Sequence, residues 1–162
     1  MATMVGTHGD IRSVLHDLVE LDLDAVEAYR TAIDKLEDTE SKSALTGFMG
    51  DHERHVTEVG EALRKLGGEP PSGPDFKRVL TQGKVVLGGI AGDKGILKAM
   101  KSNEDDTNAA YERASSRTDV TPDLQALLRR NLDDERRHRA WIESRLSFIA
   151  QSDKPPTVEK HV

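Results

Sequence analysis

The 162-residue chain contains no cysteine, which excludes disulfides, thiolate metal sites and thiol chemistry. No cluster of lysine and arginine offsets its net charge of −6, so no nucleic-acid partner is expected. The stretch from Arg129 to Arg139 is rich in arginine, but acidic residues interrupt it, and it reads as a mixed solvated face. No apolar run approaches the roughly 18 residues needed to span a bilayer, so no membrane partner is expected either. The N-terminus shows no basic region followed by an apolar one, which makes the cytoplasm the expected location. The length suits one domain, residues 1–150, able to bury a core without staples.

What the chain does have is helical periodicity. Ile11, Val14, Leu15, Leu18, Leu21, Ala25, Tyr29, Ala32, Ile33 and Leu36 recur at the three-and-four spacing of one helix face. A first helix is therefore expected from about Ile11 to Leu36, capped by Asp10. After a polar turn, Glu37 to Ser41, a second helix is expected from about Ser43 to Leu66, stopped by Gly67 and Gly68. Pro70, Pro71 and Pro74 make the next stretch a linker. Phe76 to about Ile90 reads as a shorter amphipathic helix. A third long helix spans about Asp93 to Arg117. Thr121 and Pro122 start a fourth that ends near Ile149. The polar tail, residues 151–162, carries Pro155 and Pro156 and is expected to be disordered. The fold class is all-α: a four-helix bundle of two antiparallel hairpins with one long crossover containing a short helix.

Polar residues interrupt these apolar stripes in a repeated pattern. Asp22 precedes Tyr29 by the same seven residues that separate Glu104 from Tyr111. Asp51-His52-Glu53-Arg54-His55 follows the first tyrosine, and Asp134-Glu135-Arg136-Arg137-His138 follows the second. Projection at about 100° per residue turns Asp22, His52, His55, Glu104, Glu135 and His138 inward and Glu53 to the margin. In each hairpin the carboxylate and the histidine share one level. A buried lone carboxylate costs several kcal/mol unless its charge is compensated. A divalent cation compensates three carboxylates and three imidazoles together, and mixed nitrogen and oxygen ligation fits iron or manganese, and less distinctively zinc. A metal-free polar network is the competing reading, with Arg139 as counter-ion and Asn103 and Asn131 bordering the core.

Glu135-Arg136-Arg137-His138, with Glu104 one helix earlier, resembles the Glu-x-x-His signature of the ferritin-like superfamily, the group of rubrerythrin and bacterioferritin. Asp51 to His55 is similar to the corresponding segment of small bacterial ferritin-like proteins of unassigned role. The resemblance covers residues 11 to 149. It implies a ferritin-like bundle with a di-iron or dimanganese centre that reacts with O2 or peroxide, as in a ferroxidase or peroxidase-type oxidoreductase. In that frame Asp22 and Glu104 are terminal carboxylates, His55 and His138 are imidazole ligands, and Glu135 bridges. Tyr29 and Tyr111 lie beside the centre as hydrogen-bond donors or as core packing. His52 stands where the family's second bridging glutamate belongs. The centre is then asymmetric, or holds only one ion tightly. A non-catalytic metal-binding or stress protein, and a metal-free helical interaction module, are the alternatives. Trp141 projects sideways from the fourth helix, where it covers the crossover helix or marks a homodimer surface.

Overall fold

The computed structural model describes residues 3–7, 9–73, 87, 89, 90 and 92–155. Its long helices are α1 (Ile11–Lys35), α2 (Thr39–Lys65), α3 (Asp93–Ser115) and α4 (Pro122–Ser152). Consecutive helices form two antiparallel hairpins, α1–α2 and α3–α4, and the long connection after Lys65 joins them. The hairpins meet along α1–α3 and, more loosely, along α2–α4. This is the expected all-α four-helix bundle with one long crossover.

Local chemistry sets the helix ends. Asp10 caps α1 by accepting from the Arg12 backbone N–H at 2.9 Å. Asp38 caps α2 by accepting from the Ser41 N–H at 2.9 Å, so α2 begins at Thr39 rather than near Ser43. At the end of α2, Gly67 adopts φ +80°; its N–H reaches Arg64 O, and that of Gly68 reaches Leu63 O. That glycine-closed turn satisfies the last carbonyls of the helix. Thr121 caps α4 with Pro122 in the first turn. α3 stops at Ser115, short of Arg117, and α4 runs to Ser152, past the expected end near Ile149. Leu66 continues the inward spacing of Val59 and Leu63, yet it is 40% exposed just past the end of α2.

The short helix expected over Phe76 to Ile90 lies mostly outside the described residues. So do residues 156–162 of the expected tail. Within the crossover, Leu87 is buried and Ile90 packs against the same apolar group. Trp141 lies partly buried in that region, edge-on to Phe48 with ring centroids 5.8 Å apart.

The apolar interior divides into two layers. One contains Val14, Leu15, Leu18, Val59, Leu63, Ala114 and Leu128. The other contains Ala32, Leu36, Leu45, Phe48, Ile96, Met100 and Ile142. Each helix contributes to both layers, and between its two contributions it carries polar side chains. A polar stratum is thereby enclosed at mid-height.

Candidate metal centre

Asp22 on α1, His52 and His55 on α2, Glu104 on α3, and Glu135 and His138 on α4 are all fully buried in this stratum. Their ligand atoms form two overlapping groups. Asp22, His52, His55 and Glu135 make one; His52, Glu104, Glu135 and His138 make the other. In the first, His52 Nδ1 lies 2.8 Å from Asp22 Oδ1, and His55 Nδ1 lies 3.1 Å from Glu135 Oε1 and 3.5 Å from Asp22 Oδ1. In the second, His52 Nε2 lies 3.4 Å from Glu104 Oε1, while His138 Nδ1 lies 3.7 Å from Glu104 Oε1 and 3.9 Å from Glu135 Oε2. Ligands about 2.1 Å from a tetrahedral metal lie about 3.4 Å from one another. Both groups are close to that spacing.

A second ring of contacts crosses between the hairpins with two-fold regularity. Tyr29 on α1 donates its hydroxyl to Glu104 on α3, and Tyr111 on α3 donates to Asp22 on α1. His55 Nε2 pairs with Asp134 Oδ2 at 3.1 Å, and His138 Nε2 pairs with Asp51 Oδ2 at 2.8 Å. Carboxylates only accept, so Nε2 of each ring carries a proton, and in the neutral ring Nδ1 then presents a lone pair to the centre. Arg54 and Arg137 each bond both aspartates and close the α2–α4 seam. Asn108 ties α3 to α4, its Nδ2 donating to the backbone carbonyls of Glu104 (2.7 Å) and Glu135 (3.0 Å). Phe48 stacks on His138, ring centroids 4.4 Å apart.

The electrostatics show what the centre lacks. Among the described residues, no hydrogen-bond donor reaches His55 Nδ1, His138 Nδ1, Glu135 Oε1 or Glu135 Oε2. All four atoms are buried and face one another, His55 Nδ1 3.1 Å from Glu135 Oε1 and His138 Nδ1 3.9 Å from Glu135 Oε2. Burial raises the Glu135 carboxyl, and the charges of Glu104 and Asp22 add to this against His52 and His55. Burial alone would lower His55, but Asp22 and Glu135 overcome it and raise the imidazole to about 10. His52 is driven well upward, its burial outweighed by Glu135, Asp22 and Glu104. Burial and the adjoining carboxylates keep Tyr29 and Tyr111 protonated. The site therefore calls for positive charge at its middle. The donor set, three carboxylates and three imidazoles without thiolate, is one that could hold a metal ion.

The alternative counter-ion is not at hand. Arg139 does not enter the core; it is 39% exposed and lies 3.7 Å from Asp105 and 4.0 Å from Glu143. Glu53 is exposed and stands apart from the cluster. The six inward residues and both tyrosines meet at one level. Asp51, Asp134, Arg54, Arg137 and Asn108 were not singled out from the sequence. The first two carried a signal all the same: each stands four residues before an inward histidine.

Fold and site together define an all-α bundle with a buried cluster of metal-binding composition between its two hairpins. Residues 10–117, about two thirds of the chain, match the family described as Domain of unknown function (DUF2383). The chain belongs to that family. The match takes in Asp22, His52, His55 and Glu104 and ends before α4, which brings Glu135 and His138. Among curated proteins none matches the sequence significantly.

Proposed function

We propose that this protein is a ferritin-like metal-binding bundle whose buried centre holds iron or manganese, in one or two ions, and reacts with O2 or peroxide. The observation that carries the reading is the set of four buried ligand-type atoms without hydrogen-bond partners, Nδ1 of His55 and His138 and both oxygens of Glu135. An unsatisfied buried polar atom costs about 1–3 kcal/mol, more when charged. One cation at each half of the cluster relieves all four.

Each residue then has a definite task. Asp22 and Glu104 are terminal carboxylates, Glu135 lies between the halves, and His55 and His138 supply one nitrogen each. Asp134 and Asp51 hold those two rings in the tautomer that leaves Nδ1 free, an outer-shell device that also raises ligand basicity. Tyr111 and Tyr29 keep a proton on the oxygens facing Asp22 and Glu104. A bound redox metal would supply the electrons for reducing O2 or peroxide. Full burial of all six side chains restricts the reactant to that size and keeps bulk water out.

Elemental analysis after loading with Fe(II) or Mn(II), on the parent protein and on His138→Ala, tests binding. The parent should retain metal that the variant loses. Protein that stays metal-free after loading and desalting would return the chain to the reading of a metal-free helical module. Aerobic addition of Fe(II) should then give ferric absorbance faster than buffer autoxidation. Retained iron with no such absorbance would leave a non-catalytic metal-binding protein.

A further inference from the structure

We infer that His52 is a shared ligand, its two ring nitrogens each serving one half of a two-metal centre. The inference rests on the metal-binding reading above and adds which group spans the pair.

His52 differs from the other two histidines in where its nitrogens go. His55 and His138 each give Nε2 to an aspartate outside the cluster and turn only Nδ1 inward. His52 has no such outer partner among the described residues. Its Nδ1 lies 2.8 Å from Asp22 Oδ1 and 3.5 Å from Glu135 Oε1, in the half that contains His55. Its Nε2 lies 3.4 Å from Glu104 Oε1, in the half that contains His138. The ring thus stands between the halves with one nitrogen toward each. Glu135 does the same from α4: Oε1 faces His55, and Oε2 faces His138. Counted this way, each half has two imidazole nitrogens and two carboxylate oxygens, and His52 and Glu135 belong to both.

The chemistry of a ring bridge differs from that of a carboxylate. The lone pairs of an imidazole diverge from opposite sides of a five-membered ring. Two metal–nitrogen bonds of about 2 Å across that ring place the ions roughly 6 Å apart. Two-metal sites that clamp one substrate hold their ions about 3.5–4 Å apart. In the metal-free protein the His52 ring is held protonated on both nitrogens; as the two metal–nitrogen bonds form, both N–H bonds break and the two protons leave to solvent, with no change of oxidation state. At the wider spacing the ions are too distant to grip one oxygen-sized molecule between them, so each meets its reactant separately.

The test is the crystal structure of the full chain loaded with Zn(II), with zinc located by anomalous scattering. The expected result is two peaks flanking the His52 ring at roughly 6 Å. Two peaks at about 3.5–4 Å, or a single zinc on one His52 nitrogen, would overturn the shared-ligand assignment and leave metal binding standing. His52→Glu provides a second arm: zinc content is kept and the peaks draw in to about 3.5–4 Å. Equal spacing in parent and variant would count against a bridging role. Absence of zinc, iron and manganese alike from the loaded parent protein would remove the metal-binding reading itself, and the assignment with it.

Discussion

Asp134 accepts from His55 across 79 residues of chain, and Asp51 accepts from His138 across 87. Neither aspartate touches the middle of the cluster, yet each decides which nitrogen of a buried ring is free to ligate. Asp134→Ala should therefore weaken metal binding while sparing the fold, because the residue is partly exposed and its arginine partners reach water. Loss of an outer-shell carboxylate of this kind costs about 10–100-fold in metal affinity. Competition titration of Zn(II) against a chromophoric chelator measures it; affinity equal to the parent's would show that Asp134 does not set the His55 ring. The sequence displays the inward six because a charged or imidazole side chain inside an apolar stripe is conspicuous, as Asp22 is between Leu18 and Ala25. It hides Asp51 and Asp134 because, in sequence, an aspartate beside arginines looks like any solvated pair. Their partners also sit in the opposite hairpin, beyond the reach of helical projection.

The same division holds for the helices. Periodicity locates each stripe and therefore each helix, since the buried face must repeat at the helical spacing. Ends depend on single hydrogen bonds and are harder to read. The segment Glu37 to Ser41 looks like a turn from its polarity, yet Asp38 converts most of it into the first turn of α2. Asp38 accepts from the Ser41 N–H at 2.9 Å and from Ser41 Oγ at 2.5 Å, and it also takes Arg145 of α4 at 2.7 Å. Asp93, at the start of α3, accepts the backbone N–H groups of Glu37 and Asp38 at 2.9 and 2.8 Å. This one corner thus locks the turn of the first hairpin to both helices of the second. Asp38→Ala should destabilise the protein by about 1 kcal/mol through the cap alone, within a range of about 0.5–2. Urea unfolding should show a lower midpoint at unchanged slope. An unaltered midpoint would mean that the cap and the Arg145 pair contribute nothing net.

Across the whole molecule, two apolar layers enclose a polar stratum whose charge balance depends on what fills it. In the metal-free protein, protons on His52 and His55 do the balancing. His55 is raised from 6.5 to about 10 by Asp22 and Glu135 against the opposing effect of its burial. A raised histidine contributes stability that is complete below its unfolded pKa of about 6.5 and is lost as pH climbs through the folded value. His52 shifts in the same direction. Metal-free protein should therefore become less stable as pH rises from about 6.5 toward about 10. A divalent cation reverses the trend, because it occupies the places those protons held and binds more tightly as they leave. The thermal midpoints of chelator-treated and Zn(II)-loaded protein should thus lie close together at about pH 6 and far apart at about pH 9. A gap that stays constant between those two conditions would show that metal and protons do not compete for the centre. Metal-free protein that gains stability over the same interval would show that His52 and His55 are neutral in the folded core.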